Sequence, residues 1–418
     1  MTQTALIKRN NLAAIILSIL LSYLTYLVVI NQLPQILSDY NGHLYVYLPE
    51  FSESWLKGWQ TVPYCMWHLV VLGFHHILHV PLADSAAWSS CVFSLFSFFV
   101  FYWMILKYTA SVGKEEHPTK AAFVAFGLCV IQSLYIHWLD AGDRFLGPYS
   151  MNPIHNPTQM CVRPFALICF CLVYDIWNKQ QNNDYSGVFF NMKQGLKKPF
   201  VYLSVTLFLS TLAKPTFAEM FIPAVGILML TEWIRRMVRK DGSASLYFNN
   251  CLHMFLCAVP SLLYIALQFA DYFILGGSYV GEESVIITKW LEVWSMFTEN
   301  VVLSIAIGMT LPLFMILINA RFYLENNLGK LALVGYVVGF LEAASLGESG
   351  IKLSHGNFIW PMISGMLLMW TASSLHLLTL ERTQTNTRGK QILIDIAWFL
   401  FCFHVLFGIL YMKSLMTI

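Results

Sequence analysis

The chain has 418 residues, of which 57% are hydrophobic and only 11% charged, with a mean hydropathy of +0.60. A soluble domain carries about 25% charge, so a soluble fold is excluded. The net charge of +2 says little about partners, and no nucleic-acid partner is expected. The apolar runs are about 17–24 residues long. That length crosses about 30 Å of hydrocarbon as a helix, and barrel strands would be shorter and alternating. No polar stretch is long enough to bury a core of its own. The expected fold is therefore all-α: a polytopic transmembrane helical bundle of about 11–12 helices, with 1–418 forming a single integral membrane domain.

Taken in order, the apolar runs place spans near 11–30, 64–80, 86–107, 120–139, 160–178, 199–213, 217–234, 249–272, 300–319, 331–346, 357–378 and 391–411. The first run follows Lys8 and Arg9 and lacks a small-residue cleavage site, so it reads as a retained span rather than a signal peptide. Cations gather in alternate loops: Lys107, Lys114 and Lys120; Lys179, Lys193, Lys197 and Lys198; Arg235, Arg236, Arg239 and Lys240; Arg321 and Lys330; Arg382, Arg388 and Lys390. The positive-inside rule puts these loops and the N-terminus in the cytoplasm. The loops at about 31–63, 140–159, 273–299 and 347–356 then face outward.

Parity adds a constraint. If 64–80 crossed, Lys107 and Lys120 would lie outside. That stretch carries His68, His75, His76 and His79, a density of ionisable groups that fits wet or protein-lined surroundings better than lipid. It is expected to be re-entrant, leaving eleven crossings and an outer C-terminus. Between the first span and this stretch, Leu44, Leu48, Phe51, Trp55 and Trp59 recur at helical spacing. They predict an amphipathic helix over 43–59 lying in the interface.

The polar chemistry collects in the outer loops. Asp39 and His43 are four residues apart and share a face if helical, which makes them a candidate base or metal site. The second loop carries Asp140, Asp143, Arg144, His155 and Asn156 among prolines and glycines, and it returns to the membrane at Arg163. Such a set suits phosphate or sugar hydroxyls. The last loop holds Glu348, Lys352, His355 and Asn357, with Glu348 and Lys352 placed to pair with each other. Lys214, at a tight turn away from the cationic loops, either snorkels to headgroups or meets a lipid phosphate. Asp175, Asp271 and Asp395 lie near span ends and read as interfacial caps. The nine cysteines are scattered, with no C-x-x-C, so no disulfide framework or zinc motif is expected. Phosphate-loop, G-x-S-x-G and H-E-x-x-H motifs are absent, as is any visible inverted repeat.

A first span, a long outer loop opening on an acid, interfacial helices and many further spans together resemble the GT-C class of polytopic glycosyltransferases. The strings Asp39-Tyr-Asn-Gly-His43, His155-Asn-Pro-Thr158 and His355-Gly-Asn-Phe358 are similar to those of uncharacterised bacterial members. The resemblance implies a polyprenyl-phosphate-linked sugar as donor, and a glycan, lipid or protein of the cell envelope as acceptor. It also implies residence in the bacterial inner membrane. By position Asp39, assisted by His43, acts at the acceptor or at a bound divalent metal (magnesium or manganese). Asp143, Arg144, His155, Asn156, Arg163, Lys214, Glu348 and His355 are then the expected substrate-binding residues. The chain departs from the class pattern in having one acid at this place rather than a pair, and no large soluble domain after the spans. Two other functions compete: a lipid or solute transporter or flippase, and a polysaccharide polymerase or ligase, which would want more arginines outside.

Overall fold

The structure, a computed structural model, describes residues 3–62, 64–113, 117–140, 145–182, 184–240, 242–271, 284–382 and 388–417. It is an all-α polytopic membrane bundle. The helices are α1 (Gln3–Gln32), α2 (Asp39–Asn41), α3 (Leu48–Glu53), α4 (Trp55–Thr61), α5 (Met66–Leu72), α6 (Leu82–Ser111), α7 (Pro118–Val130) and α8 (Pro157–Gln181). They continue with α9 (Lys197–Ala213), α10 (Thr216–Val238), α11 (Ala244–Phe269), α12 (Val301–Gly308), α13 (Thr310–Glu325), α14 (Asn327–Ser345), α15 (Ile359–Arg382) and α16 (Arg388–Leu415). Strands β1 (Val285–Ile287) and β2 (Leu346–Glu348) pair antiparallel, with Val285 opposite Glu348.

Among the described residues eight helices are long and apolar enough to cross a membrane, or nine if α12 and α13, bent by 73°, form one span. This is fewer than the eleven or twelve expected. The difference lies in three stretches. Residues 64–80 form only α5 and a π-helical turn at Gly73–Ile77. The Tyr26 hydroxyl donates to Asp84 at 2.6 Å, so α6 starts beside the end of α1 and the chain between them returns to the same end of the bundle. The 199–213 run is a 17-residue helix.

The third stretch, 120–139, stops being helical at Val130. Its closing carbonyls have found partners elsewhere: Arg163 donates to the Cys129 oxygen at 3.0 Å and Asn152 to the Val130 oxygen at 2.8 Å. The last carbonyls of a helix need such donors. Residues 131–133 then run irregular but buried, with the Gln132 amide donating to the His404 carbonyl at 3.1 Å. Irregular backbone at this depth is tolerated only where protein satisfies it.

The interfacial helix expected over 43–59 is broken. Gly42–Tyr47 is a π-helical turn, and Ser54 is extended (φ −159°, ψ 148°), its hydroxyl accepting from the Lys57 amide at 3.1 Å. Serine is a strong helix starter, so α4 begins anew there. Phe51 then folds back over Gly58, where a Cβ would collide with its ring. Leu44, Leu48 and Phe51 are buried, Trp55 is exposed, and the Trp59 indole donates to the Tyr264 hydroxyl at 3.0 Å. The single apolar face of the sequence is thus split between two directions.

Helices α14 and α15 pack backbone to backbone. A Cβ at Gly339 would meet the Met362 main chain, and one at Gly365 the main chain of Tyr336. Small residues at such contacts let membrane helices approach closely. The segment 145–156 forms a buried plug at the end of the bundle that carries Asp39. Ser133 and Ser304 hold it by donating to the carbonyls of Tyr149 (2.7 Å) and Gly147 (2.5 Å).

Candidate functional site

Ser38 caps α2, its hydroxyl accepting from the Asn41 amide at 3.1 Å and donating to the Gln32 carbonyl at 2.6 Å. Asn41 donates to the Leu33 carbonyl at 2.6 Å. These bonds tie the loop to the end of α1 and leave the Asp39 side chain out of the capping. Buried Tyr40 anchors the turn beneath, against Trp67 and the sulfur of Met160.

Asp39 reaches the second loop. The Asn156 amide nitrogen donates to one Asp39 carboxylate oxygen at 2.8 Å. The Asn156 oxygen is already fixed as the cap of α8, accepting from the Gln159 amide at 2.9 Å and the Thr158 hydroxyl at 3.0 Å. The amide can therefore present only its N–H₂ to Asp39. The second Asp39 oxygen has no partner among the described residues, and the side chain is exposed. The pairing supplies an oriented carboxylate with one oxygen open.

Lys214 closes α9 with an extended backbone (φ −171°, ψ 138°) just before Pro215. It does not snorkel. The side chain is 8% exposed, and its ammonium lies 4.2 Å from the ring centre of Trp360 and 5.8 Å from that of Tyr64. No carboxylate among the described residues lies within ion-pair distance of it. Burial pulls its pKa down to about 8, while the charges of Asp39 and Glu219 oppose that fall. A desolvated cation over a tryptophan face gains about 2 kcal/mol or more.

His43 is buried and meets His68, Nδ1 to Nε2, at 3.2 Å. Its pKa is held well below the ordinary value by burial first, then by His68 and by the Lys214 charge. Burial alone brings His68 to about 3. Burial thus opposes a charge on either ring.

The remaining expected residues divide. His155 faces the Tyr411 hydroxyl at 3.1 Å and packs against Phe145 (3.9 Å) and Trp360 (5.9 Å), so Trp360 joins it to Lys214. Glu348, fixed on β2, accepts from Asn357 at 2.6 Å and lies close enough to Glu219 to act on it electrostatically. His355 ends the 3₁₀ turn Gly350–His355 and is exposed, with no hydrogen bond among the described residues. Asp143 and Arg144 lie outside the described residues.

Arg163 is not brought to the cluster's charges. Its guanidinium is buried and donates to the Cys129 carbonyl at 3.0 Å and the Met151 carbonyl at 2.9 Å, clamping α7 to the plug. Asp175, expected to be an interfacial cap, is buried and accepts from the Tyr185 hydroxyl (2.6 Å) and the amides of Val188, Phe189 and Phe190 (2.9, 2.7 and 2.7 Å). It organises the loop after α8.

A divalent metal finds no donor set here. No three His, Cys, Asp or Glu side chains converge among the described residues, and Asp39 faces an amide donor. Magnesium and manganese want several oxygen ligands, so no step is routed through a metal. Sequence reasoning overlooked Trp360, Tyr64, His68 and Glu219. Only His68 carried a signal, as part of a histidine-rich stretch. A cavity of about 240 Å³ lies elsewhere, lined by apolar side chains of α8–α11 such as Leu207, Phe221 and Phe255. No protein-family model matches the chain, and no curated protein matches its sequence.

Proposed function

We propose that this protein is a membrane glycosyltransferase of the GT-C kind. It moves a sugar from a polyprenyl-phosphate-linked donor to a glycan, lipid or protein acceptor of the cell envelope. One observation carries the reading: a buried ammonium without an ion-pair partner, Lys214, stands within electrostatic reach of an oriented carboxylate with one open oxygen, Asp39. An anion fits the first and an acceptor hydroxyl the second.

In the step, the acceptor oxygen bonds to the anomeric carbon and gives its proton to the open oxygen of Asp39. The bond from that carbon to the donor phosphate oxygen breaks on the opposite side. The electron pair leaves with the lipid phosphate, whose charge Lys214 stabilises. Asn156 holds Asp39 in place throughout. This reading places the N-terminus in the cytoplasm of a bacterium and the site at the outer face of its inner membrane.

The test is sugar transfer from a polyprenyl-phosphate donor by protein in nanodiscs, comparing the parent chain with Asp39→Asn. A second reading, a transporter, draws on the 73° break between α12 and α13, because broken spans line midplane binding sites in transporters. It requires flux that survives the Asp39 substitution.

A further inference from the structure

We propose that His68 is a positioning residue: it donates its Nε2–H to His43 Nδ1 and fixes His43 as the Nε2–H tautomer, a neutral hydrogen-bond donor presented to the ligand. The chemical use of that donor rests on the transferase reading above; the tautomer itself does not.

The two ring nitrogens are 3.2 Å apart, so one of them carries the shared proton. The neighbour of each ring decides which. His68 is fully buried, and its Nδ1 has no partner among the described residues. If His43 were the donor, His68 would have to carry its own proton on that Nδ1, leaving an N–H sealed away with nothing to accept it. Orphaned buried N–H groups are rarer than under-satisfied acceptors. With His68 as donor, the sealed Nδ1 is only an unused lone pair, and His43 must be protonated at Nε2. That nitrogen has no protein partner among the described residues, yet it is not closed off as His68 Nδ1 is. It is the one polar atom of the pair left for a ligand.

The rings have little freedom to exchange roles. His68 stacks on Phe51 at 5.2 Å and meets Trp67 edge-on at 5.3 Å. His43 is enclosed edge-on by Tyr47, Tyr64 and Trp67 at 5.3, 6.3 and 6.1 Å. It sits in the π-helical turn Gly42–Tyr47, a type of distortion that recurs at functional sites. Tyr64 packs against both His43 and the Lys214 ammonium, so the histidine and the cation share one wall. A neutral N–H beside a cation suits an anionic oxygen. His43 would then bind the donor phosphate or its leaving oxygen, and Asp39 would act alone as base.

Nitrogen-15 spectra of histidine-labelled protein in nanodiscs test this, with His43 assigned by difference against His43→Asn. The expected wild-type spectrum shows His43 protonated at Nε2 and bare at Nδ1. His68→Leu should mix the two tautomers, and His68→Gln, whose amide nitrogen occupies the place of Nε2, should restore the wild-type pattern. If the transfer reading holds, turnover falls in the leucine variant and recovers in the glutamine variant. A wild-type His43 protonated at Nδ1 overturns the proposal, whatever the activity. So does an unchanged His43 spectrum in a folded His68→Leu protein. If the leucine variant does not fold, the wild-type spectrum alone decides.

Discussion

The Asn156 side chain joins two separate polar stretches by donating to Asp39 at 2.8 Å while its oxygen caps α8. A helix start and a candidate catalytic base thereby share one amide. Asn156→Ser separates the two jobs, because serine caps as well as asparagine but has no amide to reach Asp39. Melting should stay within about 1 kcal/mol of the parent, while transfer falls. Equal losses of stability and transfer would show that the amide serves only the helix.

Asp39→Asn should keep the hydrogen bond, since its amide oxygen can still accept from Asn156, and lose the base. Transfer should drop about 10²-fold or more with the melting temperature unchanged. Full turnover would remove Asp39 as the base and favour the transporter reading.

Lys214 makes two separable predictions. Lys214→Met keeps the stem between Trp360 and Tyr64 and removes the ammonium. Loss of a charge-assisted contact of about 1.5–3 kcal/mol weakens donor binding roughly 10- to 100-fold. Stability should hold or rise, because a buried cation without an ion pair is removed. A fall in melting temperature would argue for a structural cation.

The pKa of Lys214 is about 8 in the folded chain against the ordinary 10.5. Donor affinity should therefore decline as pH rises through about 8. Stability should move the other way. Between about 8 and 10.5 the unfolded chain holds a proton that the folded chain has shed, so unfolding becomes harder as pH rises. Lys214→Met should flatten both profiles. Titrations of donor binding and of melting between pH 7 and 10 check this.

Arg163→Leu should destabilise rather than impair binding. It strips the donor from two backbone carbonyls, at about 1–3 kcal/mol for each acceptor left buried. Folded yield in detergent should fall, and the KM of the protein that remains should match the parent. A raised KM in well-folded protein would return Arg163 to the substrate.

Apolar run length and low charge determined the membrane class and the placement of most long helices, because crossing hydrocarbon is a demand each segment meets by itself. Asp39 could be singled out from its place after the first span, and the histidines of 64–80 marked a stretch unsuited to lipid. Tertiary structure decided the rest. The apolar run at 120–139 could have stayed helical, but Arg163 and Asn152 take its carbonyls at Cys129 and Val130. The 43–59 periodicity could not reveal that Phe51 would turn back over Gly58. Nothing local distinguishes an arginine that meets phosphate from one that meets two carbonyls, or a lysine that snorkels from one enclosed by Trp360 and Tyr64. Each of those outcomes depends on which distant groups arrive alongside, and periodicity carries no record of them.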